Sequence, residues 1–245
     1  MKKIRYDKRM LMFIATILMT IDHITWIFYP EKNIISFSIH FITRLSAPLF
    51  FLFTAESIYH SRNKSKYVCK LFVLALISHY PYIVFARRNL VYSFLGLISY
   101  TSIIYNLLLG SLGILVYESH LNSFIKFLSY AIILAFSGFG DWPYFSVLTI
   151  FIFYTLDYDI VLRSYAFTVS WLVFIMFPVL KSIIRTSSTN WLWNLYLAGT
   201  ILVIPLIGNY SINKKKPYYK SKSFLGFYYY PIHLAIIMAI YLLIL

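Results

Sequence analysis

Long apolar runs, each closed by charged or turn-forming residues, follow one another along this chain from end to end. Most are about 20 residues long, the length at which a single helix crosses the hydrocarbon of a bilayer. Reading the runs between their polar boundaries predicts spans at 10–29, 37–59, 67–86, 91–117, 124–139, 144–157, 160–178, 190–207 and 224–245. The expected architecture is therefore all-α: a polytopic transmembrane helix bundle of about nine spans. The 91–117 run is long enough to hide a break, and the arms on either side of Gly138-Phe139-Gly140-Asp141-Trp142-Pro143 are short for full crossings. The first run is too long for a cleaved signal and is expected to stay in the membrane. No stretch is left for a soluble domain, so residues 1–245 read as one integral-membrane domain.

Composition agrees with the pattern. With 60% hydrophobic and 12% charged residues and a mean hydropathy of +0.74, an ordinary soluble protein is excluded. The net charge of +14 points first to nucleic acid, but its distribution argues otherwise. The basic residues fall in three blocks: Lys2, Lys3, Arg5, Lys8 and Arg9; Arg62, Lys64, Lys66 and Lys70; Lys214, Lys215, Lys216, Lys220 and Lys222. Nine alternating spans put all three on one face, which the positive-inside rule makes cytoplasmic. The N-terminus is then inside and the C-terminus outside. The opposite face receives only Lys32, Arg87, Arg88, Lys181 and Arg185. Such blocks orient the chain and attract anionic lipid, and they suit the phosphates of a cytosolic donor. The single cysteine, Cys69, excludes an intrachain disulfide and every cysteine-based metal cluster. His23, His79 and His233 lack the spacing of a metal site, and no metal is expected.

Chemistry enters with Asp22-His23, inside the first span. A carboxylate in hydrocarbon costs several kcal/mol unless paired, so it is rarely kept without work to do. Counting about 1.5 Å per residue from each span's midpoint, His23 and Arg44 lie at one level, which makes Arg44 the natural counter-charge of Asp22. The same count puts His79, Asn106 and His233 within a few Å of the midplane. Pro48 removes the helical partner of the Arg44 carbonyl, so the second span should kink there; Pro81 and Pro231 do the same to Ile77 and Phe227. A neutral imidazole in a dry site can take a proton from an attacking nucleophile. The bland alternative is a structural Asp22–Arg44 pair beside a core histidine. A rival of another class is a transporter or export component that uses the same polar level to carry a solute.

Asp22-His23, Arg44-Leu45 with Pro48-Leu49-Phe50, Glu56, Arg62-Asn63, Tyr67, Leu71, Ala75, Ser78 and Pro81-Tyr82 resemble, in that order, the TraX family of membrane proteins. Gly110, Asp141 with Val147-Leu148, Tyr230-Pro231 and His233-Leu234 extend the resemblance over nearly the whole chain. It implies acetylation of the N-terminal amine of a pilin-like protein, with cytosolic acetyl-CoA as donor and the first-helix histidine, His23, as the catalytic group. Met12 stands where the resemblance implies a basic residue, and Arg9 lies about one turn earlier. Lys70 replaces a usual arginine and Asn106 a threonine; Pro143 and Ser146 replace glycines.

The expected function is thus a membrane acyltransferase. Arg9, Arg62, Lys64 and Lys70 would hold the phosphates of the acyl-CoA, and His23 would act as base. Asp22 and Arg44 would hold and balance it, and Asn106 or His233 would stabilise the oxyanion. The acceptor is a peptide or glycan, nucleic acid is not a partner, and the location is the cell membrane.

Overall fold

The computed structural model describes residues 8–88, 100–157, 159–185, 193–208, 210 and 224–244. It is all-α, as the periodicity predicts. Among the described residues there is no strand, and an isolated bridge joins Thr101 to Gly140. The helices are α1 (Lys8–Phe28), α2 (Ile34–Thr43), α3 (Ser46–Tyr59), α4 (Lys64–Arg87), α5 (Ile103–Glu118), α6 (Ser123–Ser137), α7 (Pro143–Thr155) and α8 (Ile160–Arg185). A 3-10 helix over Asn194–Val203 then runs into α9 (Ile204–Gly208), and α10 (Phe224–Ile244) closes the chain.

Four stretches are long and apolar enough to cross a membrane: Lys8–Phe28, Ile34–Tyr59, Lys64–Arg87 and Ile160–Lys181. Shorter apolar helical stretches, of 10–17 residues, are Ile103–Glu118, Ser123–Ser137, Pro143–Thr155, Asn194–Gly208 and Tyr228–Ile244. α1 shows why the surroundings are lipid. It exposes Phe13, Ile17, Ile21, Ile24 and Phe28, three or four residues apart on one face, while Asp22 points inward. A stripe of that kind is a liability in water and the normal outer face in a bilayer. The threonine hydroxyls of α1 are satisfied within the helix: Thr16, Thr20 and Thr25 each donate to the carbonyl four residues back, at 2.8–2.9 Å.

The predicted second span divides at Arg44-Leu45 into α2 and α3. The cause is the one read from Pro48, whose missing N–H and bulky ring spoil the turn that the Arg44 carbonyl would close. α4 and α10 instead continue through Pro81 and Pro231. α8 runs past its predicted end at 178 and carries Lys181 in its last turns. The first part of the predicted 91–117 span, most of the first basic block and all of the third lie outside the described residues.

The chain forms two compact units, Met1–Phe53 with Thr155–Ile212, and Thr54–Tyr154 with Asn213–Leu245. In the first, α1 packs on α2, α2 on the 3-10 helix, and the 3-10 helix on α8. Arg163 of α8 is wholly buried and ties this unit together. It donates to Asp157 at 3.1 Å and to the carbonyls of Ile207 and of Tyr210, the latter at 2.6 Å. Carbonyls at the end of α9 thereby gain the partners a helix terminus otherwise lacks. In the second unit, α4 packs on α5 and α10, and Leu109, Ile133 and Val147 join α5, α6 and α7 in an apolar cluster.

The approach of the 3-10 helix to α2 depends on Gly199. A Cβ there would run into the backbone of Phe41, which cannot swing aside as a side chain does. Gly199→Ala should therefore cost roughly 1–3 kcal/mol, the usual toll of overpacking, read as a lowered thermal midpoint in detergent. An unchanged midpoint would show that the contact yields freely.

Orientation can be tested on two exposed positions. In a Cys69→Ser background, Ser65→Cys should be shielded from an impermeant thiol reagent in intact cells and Lys32→Cys should react. The opposite pattern would invert the topology.

Candidate functional site

The site is built on α1 and α2. Asn33 caps α2, its side-chain oxygen accepting from the backbone N–H groups of Ile35 and Ser36 at 3.1 and 3.0 Å. That start sets the register of the helix. His40, Thr43 and Arg44 then fall at i, i+3 and i+4, neighbours on one face. The face meets Asp22. His40 Nδ1 lies 2.8 Å from Asp22 Oδ1, Thr43 Oγ1 donates to the same oxygen at 2.6 Å, and an Arg44 amino group donates to Oδ2 at 2.6 Å. All four residues are buried.

The chemistry of the acceptor fixes the tautomer. A carboxylate only accepts, so the His40 nitrogen facing it carries the hydrogen, and in the neutral ring Nε2 keeps the lone pair. Bonds from donors to a charged acceptor contribute about 1.5–3 kcal/mol each, against 0.5–1.5 for neutral pairs. Aromatic rings complete the surroundings. His40 lies 4.4 Å from the Trp26 ring, 5.8 Å from that of Tyr196 and 6.1 Å from that of Trp193, centroid to centroid. The Arg44 guanidinium sits over Tyr196 at 5.0 Å, where the ring face attracts a cation.

The structure thus brings Asp22 and Arg44 into contact. His23, the next residue on α1, is half-buried and close enough to act electrostatically on the Asp22 carboxylate. His40 and Thr43 were not singled out in the sequence. Their signal was available in the His-x-x-Thr-Arg spacing, which puts three donors on one helical face.

The other candidates, apart from Arg9 of the first unit, lie in the second unit. Asn106 is fully buried and its amide nitrogen donates to the Trp142 carbonyl, while Oδ1 has no hydrogen-bond partner. It packs against Gly140 so closely that a Cβ there would strike the amide. Asn106 therefore braces the Gly140-Asp141-Trp142 turn, which Thr101 also holds through bonds to Phe139 and Asp141. His233 Nδ1 donates to the Tyr229 carbonyl at 2.9 Å, and its ring stacks on that of Tyr229. Of the basic candidates in this unit, Arg62 and Lys70 are exposed. Lys64 is committed, its ammonium donating to Glu118 and, at 3.0 Å, to the Tyr154 hydroxyl, which also donates to Glu118. Arg9 is exposed in the first turn of α1. His79 is half-buried on α4, and His120 is exposed between α5 and α6.

The sequence matches the family model described as TraX protein over residues 7–241. No curated protein and no solved structure matches the chain.

Proposed function

The chain belongs to the TraX family, and we propose that it is a membrane-embedded acetyltransferase, moving an acetyl group from cytosolic acetyl-CoA to an acceptor amine such as the N-terminus of a pilin-like protein. The observation that carries this reading is the Asp22 carboxylate, buried in a membrane helix beneath three converging donors and beside a half-buried imidazole. An ionisable group at membrane depth is costly to keep there, which makes it a candidate working site by default.

The chemistry asked of the site is modest. The amine nitrogen attacks the thioester carbonyl, a C–N bond forms, and the C–S bond breaks. The proton lost by the amine passes to an imidazole and from there to the departing thiolate. His23 takes that role in our reading, with Asp22 and Arg44 supplying a fixed, charge-balanced neighbour. The family resemblance supports it, and so does the exposure of His23 relative to the other three residues. The exposed basic side chains of each unit, Arg9 in the first and Arg62 and Lys70 in the second, are the candidates for the donor's phosphates. We place the protein in the cell membrane as a multi-pass chain.

The test is incubation of the purified protein with isotopically labelled acetyl-CoA and amine-bearing peptides, followed by mass spectrometry of the peptides. Label at a peptide N-terminus that depends on the protein is the expected result. Absence of label on every peptide, with intact acetyl-CoA recovered, would return the cluster to a structural or transport role.

A further inference from the structure

We propose that His40 is a positioning residue for this transfer: its Nδ1–H anchors the Asp22 carboxylate and, through Asp22, fixes the α1 turn that presents His23, a role that rests on the acetyltransferase reading. Three observations carry it. His40 is 1% exposed, so a substrate does not reach its ring in this state, whereas His23 is half-buried. Its bonded nitrogen faces an acceptor-only group at 2.8 Å, which commits that nitrogen to donating. Its ring is held by aromatic groups of two further elements, Trp26 of α1 and Trp193 and Tyr196 at the start of the 3-10 helix. Arg44 supplies charge and Thr43 a hydroxyl. His40 joins the carboxylate to both neighbouring elements through a rigid ring, packed on Trp26, Trp193 and Tyr196. A catalytic geometry is kept by such support, since displacement by about 1 Å is enough to cost a hundredfold in rate.

The experiment compares His40→Ala with His40→Asn in the acetyl-CoA assay, at matched amounts of folded protein, with kcat followed against pH. An asparagine amide donates from nearly the position of Nδ1 but has no nitrogen that titrates. His40→Ala should lower kcat by about tenfold to a hundredfold, the scale of one lost bond to a charged group. It should also move the midpoint of the pH profile, because the carboxylate beside His23 has lost a donor. Lower yield of folded enzyme would not move that midpoint. His40→Asn should restore both kcat, to within a few-fold, and the wild-type midpoint. If His40→Asn is as inactive as His40→Ala while remaining folded, His40 itself handles the proton and positioning is wrong. Wild-type kcat and midpoint in His40→Ala would likewise overturn the role, even if His23→Ala abolishes transfer. Should the wild-type protein transfer nothing, the acetyltransferase reading fails first and takes this role with it.

Discussion

Asp22→Asn and Arg44→Gln should each destabilise the protein by roughly 3–5 kcal/mol, and the double variant should lose less than the sum. The 2.6 Å contact between them is nearly dry, each side chain being about 10% exposed. Removing either partner leaves the other charge without its counter-charge where water is scarce. The two losses differ in kind. Asp22→Asn strands the guanidinium and also disturbs the bonds from His40 and Thr43, so it should be the more costly. Arg44→Gln leaves the carboxylate with the His40 and Thr43 donors and keeps part of the bonding. Thermal or denaturant unfolding in a defined detergent, with all four proteins in one cycle, measures the coupling. Strictly additive losses would mean that the two charges do not interact.

His23→Ala should reduce acetyl transfer by at least about a hundredfold, the lower end for losing a positioned acid–base group, while leaving the fold intact. The imidazole is half-buried, and Asp22 keeps its Arg44 counter-charge when it is removed. Its effect is thus the mirror image of Arg44→Gln: activity falls without a comparable loss of stability. His120→Ala, at an exposed loop position, serves as the control and should be silent. His233→Ala should be milder than His23→Ala, because the His233 ring donates to a backbone carbonyl of its own helix. Near-normal transfer by His23→Ala would remove the catalytic assignment.

What the sequence by itself determined follows from costs that are local. Apolar runs of membrane length set the helical class. The expense of a lone carboxylate in hydrocarbon singled out Asp22 and demanded a cation at its level, which Arg44 supplies. Pro48 located the break in the second span, because a missing N–H and a ring clash act within one turn. His40 escaped for a related reason. Counted from the middle of one continuous 37–59 helix it lies about 12 Å from the midplane, but the break makes α2 a separate helix and cancels that count. Only the tertiary structure decided where long side chains find their partners. Lys64 meets Glu118, 54 residues away, Asn106 meets the Trp142 carbonyl, 36 away, and Arg163 meets the Ile207 and Tyr210 carbonyls, 44 and 47 away. Burial presses the Asn106 amide and the Arg163 guanidinium to find partners, and charge does the same for the partly exposed Lys64. Which partner each finds depends on helix packing, because a flexible side chain accepts any acceptor that folding brings within about 3 Å.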